Sequence, residues 1–221
     1  MSHKVTSIKP FVLSMYGFPG SGKTAFARQI SEELGIIHLQ EDKIRVDLFG
    51  DNTSPGAMKG ARKVLNYMAH DYLKAGISIV YDGGVVRASE RRKVREVAQQ
   101  TKTTSILVWL QADPETTFER TQNRDRRKAD DKYSFEYDEE TYRDILAHMQ
   151  NPEQEEYIVV SGKHTFHSQR SAVIKKLFDK NLISVEDMSS KTIKPGLTNL
   201  VPKNPVQLRG DIIHRNISIR Q

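Results

Sequence analysis

The residues from Gly17 to Thr24, "GFPGSGKT", have types and spacing suited to holding phosphate. They match the P-loop pattern Gly-x-x-x-x-Gly-Lys-Thr. The glycines let consecutive backbone N–H groups turn toward an anion, and a helix after the loop would direct the positive end of its dipole at that anion. We expect Lys23 to reach the β- and γ-phosphates of a nucleotide and the Thr24 hydroxyl to bind Mg²⁺. The alternative is a glycine-rich turn that binds nothing. The predicted nucleotide-binding set is Gly17, Pro19, Gly20, Ser21, Gly22, Lys23 and Thr24.

A second candidate metal ligand, Asp82, ends the apolar run in "ISIVYDGG". A carboxylate at the carboxyl end of a strand beside the P-loop strand would hold Mg²⁺ or a water bound to it. The alternative is an aspartate that begins a turn before Gly83 and Gly84.

Asp42 and Arg45, in "QEDKIRVDLFG", are candidates for binding a phosphate acceptor. Residues three apart share a helix face. Asp42 would take the proton of an attacking hydroxyl as a general base, and Arg45 would bind an anionic group of the acceptor through two hydrogen bonds. The alternatives are that Asp42 is a helix N-cap and Arg45 a surface residue.

The basic stretch "FERTQNRDRRKADDK" is a candidate lid over the phosphates. Arg120 and Arg124 are four residues apart, so on a helix they would share a face and could converge on one phosphate. Phosphoryl transfer needs such cations to neutralise the transition state and exclude water. The alternative is a solvated helix end, because acidic residues alternate with the basic ones.

Three classes of protein use such a phosphate loop: a transferase, a hydrolytic or switch NTPase, and a nucleotide-binding module without activity. The chain has no Asn-Lys-x-Asp element of the kind that GTP switches use to read guanine. Gly83 follows Asp82, where many hydrolytic ATPases carry glutamate. These features favour transfer to an acceptor over hydrolysis.

The elements that must position these residues are short apolar runs alternating with amphipathic segments. Continuously apolar strands alternating with helices predict an α/β fold, the three-layer sandwich of P-loop NTPases, with a five-stranded parallel sheet between helices. His38, within the second run, is expected to pack in the core. The predicted strands are Phe11–Tyr16, Ile36–Leu39, Ile77–Tyr81, Ser105–Leu110 and Tyr157–Ser161. The long helix predicted over Pro55–Ala75 has an apolar stripe of Met58, Ala61, Leu65, Met68 and Tyr72.

Composition sets outer limits on function. The chain has 221 residues, a formal charge of +6 and no cysteine, which excludes disulfides, zinc–thiolate sites and thiol nucleophiles. No apolar run is long enough to span a membrane and the N-terminus lacks a signal peptide, so we expect a cytoplasmic protein.

The basic excess is concentrated at the C-terminus, where Lys191–Gln221 carries six basic residues against Asp211 alone. We therefore predict two parts, a P-loop kinase-like domain over 1–183 and a basic C-terminal extension over 184–221. The extension would be a solvated or wrapping segment, or an arm that contacts an anionic partner.

Taken together, "GFPGSGKT", "QEDKIR", "VYDGG…RR" and "ERTQNR" resemble the P-loop kinases related to polynucleotide kinase, chloramphenicol phosphotransferase and the zeta toxins. The resemblance covers roughly residues 11–177 and implies a kinase that uses ATP and Mg²⁺. In polynucleotide kinases the Asp-x-x-Arg element supplies the base and the arginine for the acceptor's phosphate, which implies those roles for Asp42 and Arg45. It also implies that Arg120 and Arg124 are lid arginines.

The resemblance leaves the acceptor open. No phosphatase domain or nucleic-acid-binding module is recognisable, and the acceptor is a hydroxyl of a nucleic-acid 5′ end, a nucleoside, a sugar or an antibiotic. By position, the resemblance implies that Gly162, Lys163 and His164 contact adenine.

Overall fold

The structure, a computed structural model, describes residues 3–134, 136–153 and 155–187. Residues Val5–Val185 form one compact unit. The strand ends at residues 3–4 and 186–187 belong to a second unit. The basic segment Lys191–Gln221 lies outside the described residues.

Strands and helices alternate along most of this chain. The strands are β1 (His3–Ser7), β2 (Phe11–Tyr16), β3 (Ile37–Gln40), β4 (Ile79–Asp82), β5 (Thr104–Gln111), β6 (Tyr157–Ser161) and β7 (Ile183–Asp187). The helices are α1 (Lys23–Leu34), α2 (Glu41–Phe49), α3 (Pro55–Lys74), α4 (Ala88–Gln100), α5 (Pro114–Gln122), α6 (Glu139–His148) and α7 (Phe166–Asp179).

The central sheet has five parallel strands in the order β3-β4-β2-β5-β6. All six residues of β2 are buried, as a strand covered by helices on both faces requires. The predicted fold class is therefore confirmed. β2, which leads into the P-loop, lies between β4 and β5, so the carboxyl end of β4 lies beside the loop. β1 and β7 pair in a separate two-stranded sheet.

Two apolar cores cover the two faces of the sheet. Successive β2 side chains point to opposite faces, so Leu13 and Met15 enter one core and Val12 and Tyr16 the other. In the first core they meet α1 and α7, and in the second they meet α3 and α4. Across the described ranges, no helix is both long enough and apolar enough to cross a membrane.

The structure corrects two details of the predicted helices. The buried stripe of α3 is rotated from the predicted one, because small alanines take the positions closest to the sheet and leave Met68 and Tyr72 partly exposed. Helix α6 was not predicted, although Asp138 caps it by accepting a hydrogen bond from the Thr141 N–H at 2.7 Å. The buried residues of α3 are Ala57, Ala61, Leu65, Ala69 and Leu73.

Candidate active site

The P-loop is a tight cradle between the end of β2 and the start of α1. Gly17, Gly20 and Gly22 all have positive φ angles. At Gly20 a Cβ would lie 2.1 Å from the Thr117 carbonyl oxygen, and at Gly17 it would lie 2.5 Å from that of Leu110. Only glycine fits at these two positions, because the loop backbone packs directly on β5 and α5.

Several polar groups in this cradle are left for an anion to satisfy. Ser21 is 1% exposed, and among the described residues its Oγ has no hydrogen-bond partner. The N-terminus of α1 has no side-chain cap, so its N–H groups remain available. The residues present therefore fit a phosphate group.

Lys23 supplies a cation beside these groups. Its Nζ donates hydrogen bonds to the carbonyl oxygens of Gly17 at 2.9 Å and Phe18 at 2.7 Å. Burial lowers the pKa of Lys23 to about 8, against the opposing effects of the Asp82 and Asp42 charges. A phosphate would restore the charge that burial disfavours.

Asp82 lies at the carboxyl end of β4, paired in register with Gln40 of β3. It is 7% exposed, and its Oδ2 lies 3.1 Å from His38 Nε2. Thr24, the other predicted metal ligand, lies in the first turn of α1. The described residues contain no cluster of three histidines or carboxylates that could hold a metal ion. A hydroxyl and one carboxylate still fit Mg²⁺, which keeps several waters and takes phosphate oxygens as ligands.

Asp42 stands near both the metal-ligand candidate and the phosphate cradle. Burial raises the pKa of Asp42 to about 6, helped by the charges of Asp82 and Glu41 and opposed by those of Arg45 and Arg124. A carboxyl group in this range is ionised at neutral pH yet basic enough to accept a proton. The N-cap of α2 is Gln40, so the alternative that Asp42 is the cap is wrong.

Arg45 is buried rather than on the surface, with 1% of its side chain exposed. Its Nη1 donates to the carbonyl oxygens of Gly50 at 3.4 Å and Asn52 at 3.3 Å, and its Nη2 donates to that of Tyr133 at 3.4 Å. Its Nε lies 3.9 Å from Asp42 Oδ1. Arg45 therefore joins α2 to the following loop and to the segment after α5.

The two predicted lid arginines have different neighbours. Arg120 is exposed, and its Nη1 donates to the Gly162 carbonyl oxygen at 3.5 Å, at the end of β6. Arg124 lies just beyond α5 with its guanidinium 5.7 Å from the centre of the Tyr137 ring. The positive charge of Arg124 also acts on Lys23, and it opposes the raised pKa of Asp42, so Arg124 lies near both side chains.

The segment after α5 is fixed to the helices beneath it. Arg28 of α1 binds both carboxylate oxygens of Asp130, at 2.6 and 3.2 Å. Arg126 forms an exposed ion pair with Asp51 at 3.3 Å. These contacts hold the segment across α1 and the loop after α2.

The residues at the end of β6 lie close to the P-loop. A Cβ at Gly162 would lie 3.0 Å from the Ser21 carbonyl oxygen, so a side chain there would press on the loop. Lys163 Nζ forms an ion pair with Asp113 at 2.9 Å. The proposed adenine contacts of Gly162, Lys163 and His164 remain a prediction.

Sequence reasoning missed three residues that border this site. His38 was expected only in the core, but it contacts Asp82. Glu41 accepts hydrogen bonds from Arg62 Nε at 2.7 Å and from the Gly84 N–H at 2.9 Å, tying α2 to the loop after β4. The pKa of Tyr137 is raised, first by burial and then by the charge of Asp42. No sequence signal marks these residues, because each contact joins segments that are distant along the chain.

Comparisons with known proteins agree with this architecture. A family model described as an AAA domain matches residues 12–152. No curated protein sequence matches the chain. Among solved structures, a sugar kinase from Janibacter sp. HTCC2649 is 17% identical, with 79% of this chain and 95% of that chain covered and a TM-score of 0.55.

Two further solved structures contain nucleotide analogues. Chaetomium thermophilum Kti12 in complex with ADP-AlF3 is 18% identical, with 76% of this chain and 97% of that chain covered and a TM-score of 0.61. The Mycobacterium tuberculosis APS kinase CysC in complex with AMPPNP and APS is 19% identical, with 77% and 98% covered and a TM-score of 0.57. At these identities the likeness establishes a shared fold.

Proposed function

This chain belongs to the AAA domain family, and on that premise we propose that it is an ATP- and Mg²⁺-dependent phosphotransferase that acts on a hydroxyl group. The observation that carries the proposal is the position of Asp42. It is a carboxylate beside Asp82 and Arg124, and its charge also acts on Lys23 in the phosphate cradle. Transfer to a hydroxyl uses a base that takes its proton, and Asp42 supplies a carboxylate for that role.

Each candidate site residue has its own role in the proposed transfer. Lys23 and the amides of the loop hold the β- and γ-phosphates of ATP. Asp42 accepts the proton of the acceptor hydroxyl while the hydroxyl oxygen bonds to the γ-phosphorus of ATP. The bond between the γ-phosphorus and the oxygen that bridges it to the β-phosphate breaks, which releases ADP. Arg124 neutralises charge on the transferring group, and Arg120 closes the far side of the nucleotide site beside Gly162.

Thr24 and Asp82 would hold Mg²⁺. When bound, the ion supplies the positive charge that neutralises the phosphate oxygens. Both side chains offer the hard oxygen ligands that it prefers.

Packing at Gly83 supports transfer over hydrolysis. A Cβ at this position would lie 2.7 Å from Leu65 Cδ2, 2.8 Å from Tyr81 Cε1 and 3.0 Å from Glu41 Oε2. A glutamate that activates water directly after the metal-binding aspartate would therefore have to displace these side chains.

The acceptor is a small molecule or a nucleic-acid end. We propose that Arg45 orients the acceptor from α2, where its Nε lies 3.9 Å from Asp42 Oδ1. The APS kinase and the sugar kinase that share the fold are named for small hydroxyl-bearing substrates, which supports a small molecule as the acceptor. The basic segment Lys191–Gln221 would provide an additional contact to an anionic partner.

A screen with γ-labelled ATP and Mg²⁺ tests the proposal. Nucleosides, oligonucleotide 5′-hydroxyls, sugars and aminocyclitols serve as acceptors. We expect label transfer to one class and slow ADP release without acceptor. Steady ADP release that no acceptor changes would instead identify an ATPase, and tight ATP binding without turnover would identify a binding module.

A further inference from the structure

His38 is a partly buried polar side chain next to the site that the proposed transfer does not use. Its side chain is 16% exposed, and its Nε2 lies 3.1 Å from Oδ2 of Asp82, which is 7% exposed. Among the described residues, His38 is the one side chain that hydrogen-bonds to this carboxylate, so His38 sets the direction in which the carboxylate points.

The sheet register explains how the two side chains meet. His38 pairs with Val80 and Gln40 with Asp82 in the parallel ladder of β3 and β4. Because side chains alternate between the faces of a strand, His38 and Asp82 share a face and are diagonal neighbours. The contact is therefore fixed by the backbone of the sheet.

The hydrogen bond engages only one carboxylate oxygen. Among the described residues, no side chain donates a hydrogen bond to Asp82 Oδ1. The charge of Asp82 acts on both Lys23 and Asp42, so the direction of its carboxylate affects both side chains.

We propose that His38 is a positioning residue for the metal-binding carboxylate. Its Nε2–H donates to Asp82 Oδ2, which holds the carboxylate plane and leaves Oδ1 to bind Mg²⁺. The inference rests on the proposed function, because it takes Asp82 as a metal ligand. Partners of metal ligands that act in this way typically change metal affinity by about 10- to 100-fold when they are removed.

The surroundings of His38 allow its replacement. His38 borders an open groove of about 390 Å³ between β3, α2 and α3. Leucine is close to histidine in size and cannot donate a hydrogen bond to Asp82. A glutamine can place its Nε2 near the position of the histidine Nε2 and so donate to Asp82.

The test measures how strongly metal and nucleotide binding depend on each other in the full chain. Calorimetry gives the dissociation constant of a non-hydrolysable ATP analogue in EDTA and in saturating Mg²⁺, and the ratio of the two values reports the metal site. We expect His38→Leu to reduce this ratio about tenfold while leaving the affinity in EDTA unchanged. His38→Gln should restore most of the ratio. His70→Leu is the matched control, because His70 pairs with Asp71 at 3.2 Å on the exposed side of α3.

Each outcome decides the inference. If the two dissociation constants of the parent protein are equal, Mg²⁺ does not contribute to nucleotide binding, and both the metal site and the proposed function are wrong. A parent ratio well above one that His38→Leu leaves unchanged would overturn only the role of His38. Equal weakening in EDTA and in Mg²⁺, or a failure of His38→Gln to restore the ratio, would also overturn it. If His38→Leu does not fold, His38→Asn replaces it, because its shorter amide cannot reach Asp82.

Discussion

At the scale of single residues, the environment of Asp42 sets the pH range for transfer. Burial, with the charges of Asp82 and Glu41, raises its pKa to about 6. A general base must be ionised, so we predict that kcat/KM of the free enzyme falls about tenfold per pH unit below pH 6. A pH–rate profile measures this. A profile that stays flat down to pH 5 would contradict the assignment of Asp42.

Lys23 gives a second prediction in the opposite pH direction. Burial lowers its pKa to about 8, so in the free protein the amine is largely neutral at pH 9. Bound phosphates favour the charged form, and ATP binding at pH 9 should therefore take up close to one proton and weaken as pH rises further. Calorimetry in two buffers of different ionisation enthalpy measures the uptake. At pH 6.5 the uptake due to Lys23 should vanish, and uptake that is equal at both pH values would argue against the lowered pKa.

The sequence predicts those site residues that belong to a recognisable local motif. Lys23 and Thr24 follow from the P-loop, and Asp82 from its place at the end of an apolar run. The contact between His38 and Asp82 spans 44 positions, and the order of the strands, which no local pattern contains, brings the two together.

At the scale of elements, the glycine cradle gives a prediction with an internal control. Gly20 has φ +80° and no space for a Cβ, whereas Gly35 has φ +62° and open space around it. We predict that Gly20→Ala abolishes measurable ATP binding, because a side chain would displace the loop from Thr117. Gly35→Ala should leave ATP affinity unchanged and destabilise the fold by only about 1 kcal/mol, the strain of a left-handed residue.

Equilibrium binding and urea unfolding of both variants measure these effects. Normal ATP affinity in Gly20→Ala would show that the loop can move away from α5 without losing its function. The described packing would then not be what shapes the cradle.

Element prediction succeeded where periodicity is strong and failed where tertiary contacts decide. The buried strands were found because each is continuously apolar and covered on both faces. The buried stripe of α3 differs from the predicted one because alanines let the helix approach the sheet closely. The sequence pattern gave more weight to the larger apolar residues. The burial of Arg45 depends on backbone carbonyl oxygens that lie outside α2, so the sequence pattern left the alternative of a surface position open.

At the scale of the whole molecule, the compact unit Val5–Val185 contains both cores and every candidate site residue. We predict that a chain ended after Asp187 keeps the melting temperature of the full chain to within about 2 °C and keeps its transfer rate to a small acceptor. Ile183, at the start of β7, is 2% exposed, so a cut before this strand would remove core. Calorimetry and kinetic assays compare the two chains.

The same pair of chains tests the basic extension. The full chain should bind a polyanion such as heparin more tightly than the shortened chain, with a difference that decreases steeply as salt rises. Equal binding by both chains would leave the extension without this role, and a large fall in melting temperature would make it part of the fold.

The central claim is that Asp42 is the base for transfer to a hydroxyl, and one comparison tests it most directly. Single-turnover transfer from γ-labelled ATP to the identified acceptor is measured for the parent, Asp42→Asn and Asp47→Asn. Asp47 is the matched control, because it lies on the same helix, is 49% exposed and pairs only with Lys43 among the described residues. We predict that Asp42→Asn slows transfer at least about a hundredfold with ATP affinity intact, and that Asp47→Asn transfers at the parent rate. Transfer by Asp42→Asn near the parent rate, with ATP bound normally, would contradict the account.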